Sequence, residues 1–473
     1  MSRQIPGLAS LSLLAFLSGC ALGPDYLRPA APVPAHWPAS TISSSSRETA
    51  APGAPVSSPD WRSFFPDPRL QSLIVQALEH NRDLRIATLR IDEARALYGI
   101  QRADRLPNVD VSASRSASLT PADLSATGRQ ANTQRYDAGV NILSFELDFW
   151  GRVRRLNEAA LANYLSSEEA KRAFRLSLIA DVANAYYSQR ELEERLRLAR
   201  ATADSRGESR NLTGQRSRAG ISSDLDFLQA DGAFEAARAD LANLERSRAA
   251  AENLLHLLVG QPPAGMGSQL PAGLSLSEQG LAVNPLTDLP AEVLLRRPDV
   301  LAAEQKLISA NANIGAARAA FLPRVTLTGA LGTASRSLDG LFDAGSGAWS
   351  FQPMLRLPLF DAGRTEANID LATARKNIAV AEYEKAIQQA FREVADLLAA
   401  REQLVEQLRA LERADKIQAE RLRLTEARYK AGVANYLEVL DAQRESYAAQ
   451  QGAVQTRRLL LSTVAHLYKA LGG

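Results

Sequence analysis

Between Pro107 and Leu119 apolar or small residues alternate with polar ones. Val109, Val111, Ala113, Ala117 and Leu119 fall on one side, and Asn108, Asp110, Ser112, Ser114, Ser116 and Ser118 on the other. A period of two with small polar residues on one side predicts a strand standing between lipid and a wet lumen. Arg115 interrupts the apolar side, as expected of a position outside the lipid band. In later segments Val325, Leu327 and Leu331 oppose Arg324, Thr326 and Thr328, and Trp349, Phe351, Leu355, Leu357 and Leu359 oppose Ser350, Gln352 and Arg356. From Tyr136 to Phe149 the parity changes: Tyr136, Ala138, Val140 and Ile142 are even, whereas Leu143, Phe145, Leu147 and Phe149 are odd. A bulge near Ile142–Leu143, or an exit from the barrel there, accounts for the change. Four such strands are long enough to span a bilayer at a tilt but too few to close a barrel. Their edges require other copies of the chain, two copies giving eight strands or three giving twelve.

The rest of the pattern is helical. Leu178, Val182, Ala185, Leu192, Leu196 and Ala199 recur mostly three or four residues apart, which is coiled-coil spacing. A helix from about Gly151 toward Arg210 would extend ~90 Å at 1.5 Å per residue, more than a compact core needs and suited to spanning a compartment. Gly220 and Gly432 each break a long helical pattern, with Ser222 or Ser223 in one case and Asn435 in the other as N-cap candidates. Both positions predict tight helix–helix turns.

The two halves of the chain repeat each other. Arg105-Leu106-Pro107-Asn108-Val109 returns as Phe321-Leu322-Pro323-Arg324-Val325, and Gly151-Arg152 as Gly363-Arg364, an offset of 212 (363 − 151). At that offset Ala219-Gly220-Ile221 matches Ala431-Gly432-Val433, and Leu225, Leu228 and Ala230 match Leu437, Leu440 and Ala442. Each half therefore runs helix, Pro, polar strands, Gly-Arg, long helix, Ala-Gly turn, long helix. The expected division is a first repeat over 67–284, with strands at about 107–119 and 136–149, and a second over 285–473, with strands at about 323–334 and 349–360.

Before the repeats, Arg3, the apolar run Leu8 to Leu17 and Leu17-Ser18-Gly19-Cys20 resemble a bacterial lipoprotein signal. Residues 1–19 are then a signal peptide and Cys20 the lipidated N-terminus, with Ala21 directing the protein to the outer membrane. Residues 20–66, rich in Pro, Ala and Ser, read as an extended tether, with regular structure starting near Asp67. No later segment has the roughly eighteen consecutive apolar residues of a transmembrane helix.

Composition narrows the function. A formal charge of +2 offers no excess basic surface for nucleic acid, so no nucleic-acid partner is expected. Cys20 is the only cysteine, and His36, His80, His256 and His466 are scattered without metal-ligand spacing. No catalytic constellation, metal site or cofactor site is expected. The chain reads as a non-enzyme.

Lipobox, Gly23-Pro24-Asp25-Tyr26 with Arg28-Pro29, the duplicated halves and the closing run from Tyr429 to Arg444 together resemble one family. These are the TolC-type outer-membrane factors of tripartite efflux pumps, in their lipidated multidrug branch. The resemblance implies a mostly α fold with a membrane β-barrel: a homotrimer with twelve strands in the outer membrane and a helical tunnel through the periplasm. It implies passive export of small molecules such as antibiotics, with a periplasmic adaptor protein, a proton-driven inner-membrane transporter and outer-membrane lipid as partners. Alternatives are a duct for metal ions or for type I protein secretion, and a coiled-coil outer-membrane lipoprotein without a pore.

Leu437, Asp441 and Arg444 share one helix face. By the resemblance these residues and Glu438 form the periplasmic gate, and the turns at Gly220 and Gly432 are the tips that face the adaptor. At the 212 offset Leu225 is kept, but Asp441 becomes Gln229 and Arg444 becomes Gly232, while Glu438 and Asp226 are both acidic. The bland alternative for Asp441 and Arg444 is an exposed intrahelical pair of little energetic weight.

Overall fold

The computed structural model describes residues 23–34, 37, 60–261, 270–280 and 291–473. Cys20, the signal peptide, His36 and most of the tether lie outside the described residues. Chain order is α1 (Trp61–Phe64), α2 (Pro68–His80), α3 (Arg82–Ala103), β1 (Val109–Thr120), β2 (Ala131–Leu147), α4 (Arg152–Arg218) and α5 (Asp224–Val259). A short 3-10 turn (Ala291–Arg296) then leads to α6 (Pro298–Ala319), β3 (Arg324–Ser335), β4 (Gly347–Arg356), α7 (Arg364–Lys430) and α8 (Tyr436–Ala470). Among the described residues regular structure thus begins at Trp61, a little before Asp67. The chain forms two compact units, each drawing on both halves of the sequence.

One unit comprises the described residues among Met1–Ala30, with Leu89–Glu168 and Ala302–Lys385, and its centre is an antiparallel sheet in the order β1-β2-β3-β4. Pairing of β2 with β3 joins the two sequence halves. The register shifts between Ile142 and Phe145, where β2 spends one more residue than β3, and Ser144 there has a φ of 52°. This is the bulge that the change of parity requires. Most strand ends fall within two residues of the sequence reading, and two differ by more. β2 begins at Ala131, five residues before Tyr136, because Asn132 and Gln134 carry no apolar signal. β4 ends at Arg356, just before Leu357 and Pro358, since proline has no N–H to donate to a ladder.

The described start of the tether is pinned within this unit. Asn311 Nδ2 donates to the Pro24 carbonyl at 2.8 Å. Tyr26 donates its hydroxyl to Glu304 at 2.9 Å, and Arg28 grips the same carboxylate through two bonds of 2.7 and 2.6 Å. A carboxylate buried on α6 is stable there because the fork-shaped guanidinium satisfies it from both sides. The segment between Gly23 and Arg28 is therefore bound chain, where a free tether was expected.

The other unit comprises the described residues among Ala31–Thr88, Glu169–Leu301 and Ala386–Gly473, and its regular structure is helical. Leu178, Val182, Ala185, Leu192, Leu196 and Ala199 are all buried, so the coiled-coil spacing marks a core seam. Helices α4 and α7 are each 67 residues long and begin and end 212 apart, from Arg152 to Arg364 and from Arg218 to Lys430. At 1.5 Å per residue each is about 100 Å of helix. α4 continues past Arg210 to Arg218 through Gly207 and Gly214, against which the rings of Phe234 and Phe227 from α5 pack closely.

Two buried ionic groups lock this unit. Asp67 caps α2 by accepting from the Arg69 and Leu70 N–H groups. It also accepts from the Tyr186 hydroxyl at 2.7 Å, the Leu274 N–H at 3.0 Å and Gln279 Nε2 at 2.8 Å. Five donors from three parts of the chain compensate its desolvation. Burial and this bond hold the Tyr186 phenol above its ordinary range. Arg297 bonds Asp299 and Glu393, both at 2.8 Å, and donates to the Ala470 carbonyl at 2.7 Å, tying the start of α6 to α7 and to the end of α8.

Candidate functional site: sheet faces and hairpin tips

Of the strand residues only Thr326 is buried, so both faces of the sheet are open within one chain. The register sorts their chemistry. One face carries rows such as Val111–Val140–Leu331–Trp349 and Val109–Ile142–Gly329–Phe351, continued past the bulge by Phe145–Leu327–Pro353 and Leu147–Val325–Leu355. Above them lies the row Ala113–Ala138–Thr333–Gly347. Five rows at about 5 Å each along a tilted strand make a band of about 25 Å, the height of a lipid-facing girdle.

The opposite face is polar. Asn141 Nδ2 donates to Ser112 at 2.6 Å, and Arg135 pairs with Asp137 at 2.7 Å. Near the helical end of the strands Glu146 is held between Arg152 at 2.7 Å and Arg324 at 2.6 Å. This is a polar surface backed by an apolar one. Among the described residues the edges of β1 and β4 have no strand partner. No described helix is long and apolar enough to cross a membrane.

The second feature is the pair of helical hairpins. Gly220 and Gly432 have φ values of 71° and 75°, which turn the chain without the clash a side chain would bring. In each turn the following N–H reaches back to close the helix, Ile221 to the Arg216 carbonyl at 2.8 Å and Val433 to the Arg428 carbonyl at 3.0 Å. Ser223 and Asn435 are the N-caps of α5 and α8, accepting from the Asp226 and Glu438 N–H groups. The two turns are neighbours, since Arg216 donates to the Tyr429 hydroxyl at 3.1 Å; within the second hairpin the Tyr429 and Tyr436 rings meet at a tilt, 5.6 Å apart. Burial holds the Tyr436 phenol above its ordinary range.

Leu437, Asp441 and Arg444 lie on α8, and Leu437 is 60% exposed. Asp441 accepts from Arg444 at 2.6 Å and equally from Arg421 of α7 at 2.6 Å. Arg444 also reaches Glu445 at 3.2 Å. Glu438 sits apart, turned toward Arg428 at 3.4 Å. Arg421 and Arg428 were missed in the sequence, although folding the hairpin about Gly432 sets Arg421 opposite Asp441 and Arg428 opposite Glu438. The first hairpin has a bridge of its own, Arg210 to Asp231 at 2.5 Å, with Arg210 one position beyond the counterpart of Arg421 and Asp231 two beyond that of Asp441. Both hairpins are thus ion-paired across their arms, and only the second pairs through Asp441. Among the histidines, His80 bonds its own helix and His466 meets Asn184 at 2.7 Å.

A polar-and-apolar sheet with open edges, in a chain that also carries two helices of about 100 Å each, matches known channels. The chain is 46% identical to the probable efflux pump outer membrane protein SepC of Pseudomonas putida, over 98% of this chain and 96% of that one. It is 43% identical to the outer membrane protein OprJ of Pseudomonas aeruginosa, over 100% and 97%. Among solved structures it overlays the open state of the MtrE outer membrane channel of Neisseria gonorrhoeae with a TM-score of 0.84, at 40% identity, covering 96% of this chain and 98% of that one. The fold is that of an outer-membrane channel, a β-barrel sheet with a helical tunnel. The outer membrane efflux protein family matches residues 73–261 and 289–473, and the chain belongs to that family.

Proposed function

We propose that three copies of this chain close a twelve-stranded barrel and form the passive exit duct of a tripartite pump for small molecules, antibiotics and solvents among them. The observation that carries this reading is the sheet itself, whose faces are open and whose edges are unpaired among the described residues of one chain. Unsatisfied backbone groups in hydrocarbon cost several kcal/mol each, so a lone sheet cannot stay in a bilayer. Relatives named as a toluene efflux pump component and an antibiotic efflux pump component, both from Pseudomonas putida, support the cargo class. The family resemblance favours three copies over two. It also supplies the partners: a periplasmic adaptor at the tips around Gly220 and Gly432, and a proton-driven transporter beyond it. The repeats 67–284 and 285–473 each give one strand pair and one hairpin to the ring. Crosslinking of the purified protein in detergent should give a ladder that ends at three. A ladder ending at two, or a stable monomer in lipid, would refute the ring.

Leu437, Asp441 and Arg444, with Glu438 beside them, form the constriction at the tip of this duct. Arg421 belongs with them, because Asp441 is bonded equally to it and to Arg444. The Arg216–Tyr429 bond, which joins the two hairpins, must yield for the tips to part.

Lipidation at Cys20 completes the reading. Acyl chains contribute about 0.8 kcal/mol per buried CH₂, enough for stable anchoring when several are present. Cys20→Ser should abolish acyl labelling of the protein, and labelling that persisted would sink the assignment.

A further inference from the structure

Arg115 is the one charged side chain among the strand residues that face outward by register; Asp110, Arg135, Asp137, Glu146, Arg324 and Arg356 all fall on the polar face. It occupies the row Arg115–Tyr136–Ser335, directly above Ala113–Ala138–Thr333 and thus at the upper rim of the apolar band. That rim is the end of the sheet near the loops 121–130 and 336–346, remote along the strands from the helices. Its guanidinium lies 5.6 Å from the centre of the Tyr136 ring. Among the described residues no carboxylate pairs with it, and the nearest acid on β2, Asp137, is on the other face and held by Arg135.

A cation turned toward lipid at a leaflet boundary, stacked and without a carboxylate, is matched by an anion that the lipid itself supplies. Guanidinium groups bind phosphate through paired hydrogen bonds, and the stack on Tyr136 holds the fork in one orientation. Below the rim, Val111, Val140, Leu331 and Trp349 offer an apolar wall for acyl chains. We propose that Arg115 and Tyr136 form a binding site for the phosphate of a phosphorylated glycolipid in the outer leaflet. The inference rests on the barrel reading, under which the loop end of the sheet meets the outer leaflet.

The test uses the full-length protein reconstituted in nanodiscs of phosphatidylethanolamine containing either lipid A or lipid A stripped of its phosphates. Native mass spectrometry counts the glycolipid molecules retained per complex. The wild type should retain many-fold more of the phosphorylated form, and Arg115→Gln should reduce that retention to the level of the stripped form. Tyr136→Leu should give an intermediate result, and inorganic phosphate alone should neither bind nor displace the lipid. Equal retention by wild type and Arg115→Gln, or equal retention of the two lipid forms, would overturn the site. So would displacement by inorganic phosphate, which would indicate a simple anion site. Single-channel recording of Arg115→Gln separates the two readings: unchanged conductance leaves the barrel intact whatever the lipid result, whereas absence of insertion by every form would count against the barrel itself.

Discussion

Cells carrying the double substitution Asp441→Ala, Arg444→Ala are expected to become several-fold more sensitive to bulky antibiotics that the outer membrane normally excludes. The bridges at the tip explain why. In the proposed ring three Asp441 side chains would approach the axis, and at ~6 Å in water-like surroundings each pair would repel by only about 0.7 kcal/mol, so carboxylates alone would neither close nor open the pore. The Asp441 carboxylate ties α8 to α7 through Arg421 and is also bonded to Arg444 of its own helix, both at 2.6 Å. Each contact is exposed and individually modest. Three copies act together, however, and removing Asp441 leaves Arg421 unpaired in every one. Asp441→Ala alone should therefore do more than Arg444→Ala alone, which spares the Arg421 bridge. The matched control, Gln229→Ala on the first hairpin, removes no ion pair and should do much less. Equal effects from Gln229→Ala and the double substitution, or no effect from the latter, would mean that the constriction lies elsewhere.

The second large effect concerns two adjacent residues of β4. Phe351 belongs to the middle row of the apolar band, and Ser350, next to it, to the polar face. Both are exposed in the single chain, so burial within one copy does not distinguish them. Phe351→Arg should place a charge at the bilayer midplane at a cost of about 2–4 kcal/mol per copy, hence roughly 6–12 kcal/mol for a ring of three. That is enough to abolish stable assembly. Ser350→Arg adds the same charge to a wet surface and should assemble while altering conduction. The measurement is the amount of trimer recovered from the outer-membrane fraction for each variant. Equal loss of both, or loss of Ser350→Arg alone, would reverse the assignment of faces.

Much of this architecture was legible because it is written in local periodicity. Alternation identified all four strands, and the jump of parity at Ile142–Leu143 located a bulge to within two residues. The 212-residue repeat anticipated two long helices of equal length, and the glycines at 220 and 432 located their turns. What escaped depends on contacts between distant segments. Arg421 meets Asp441 only once the arms of a hairpin are set in register, and neither residue differs in type from dozens of exposed charges on these helices. Asn132 and Gln134 extend β2 above the lipid band, where the apolar alternation that reveals a strand has ended. The grip of Tyr26 and Arg28 on Glu304 joins residues more than 270 positions apart and leaves no periodic trace. α4 outruns its expected end because Gly207 and Gly214, helix-weakening by propensity, are where the rings of α5 need room.

The central claim is that copies of this chain enclose a continuous, nearly closed duct. Single-channel conductance of the purified wild-type protein in planar lipid bilayers tests it most directly. The account predicts discrete steps of small conductance with a preference for cations, set by the Asp441 and Glu438 carboxylates at the tips. Protein inserted in the bilayer without discrete steps, or with large anion-preferring ones, would contradict it.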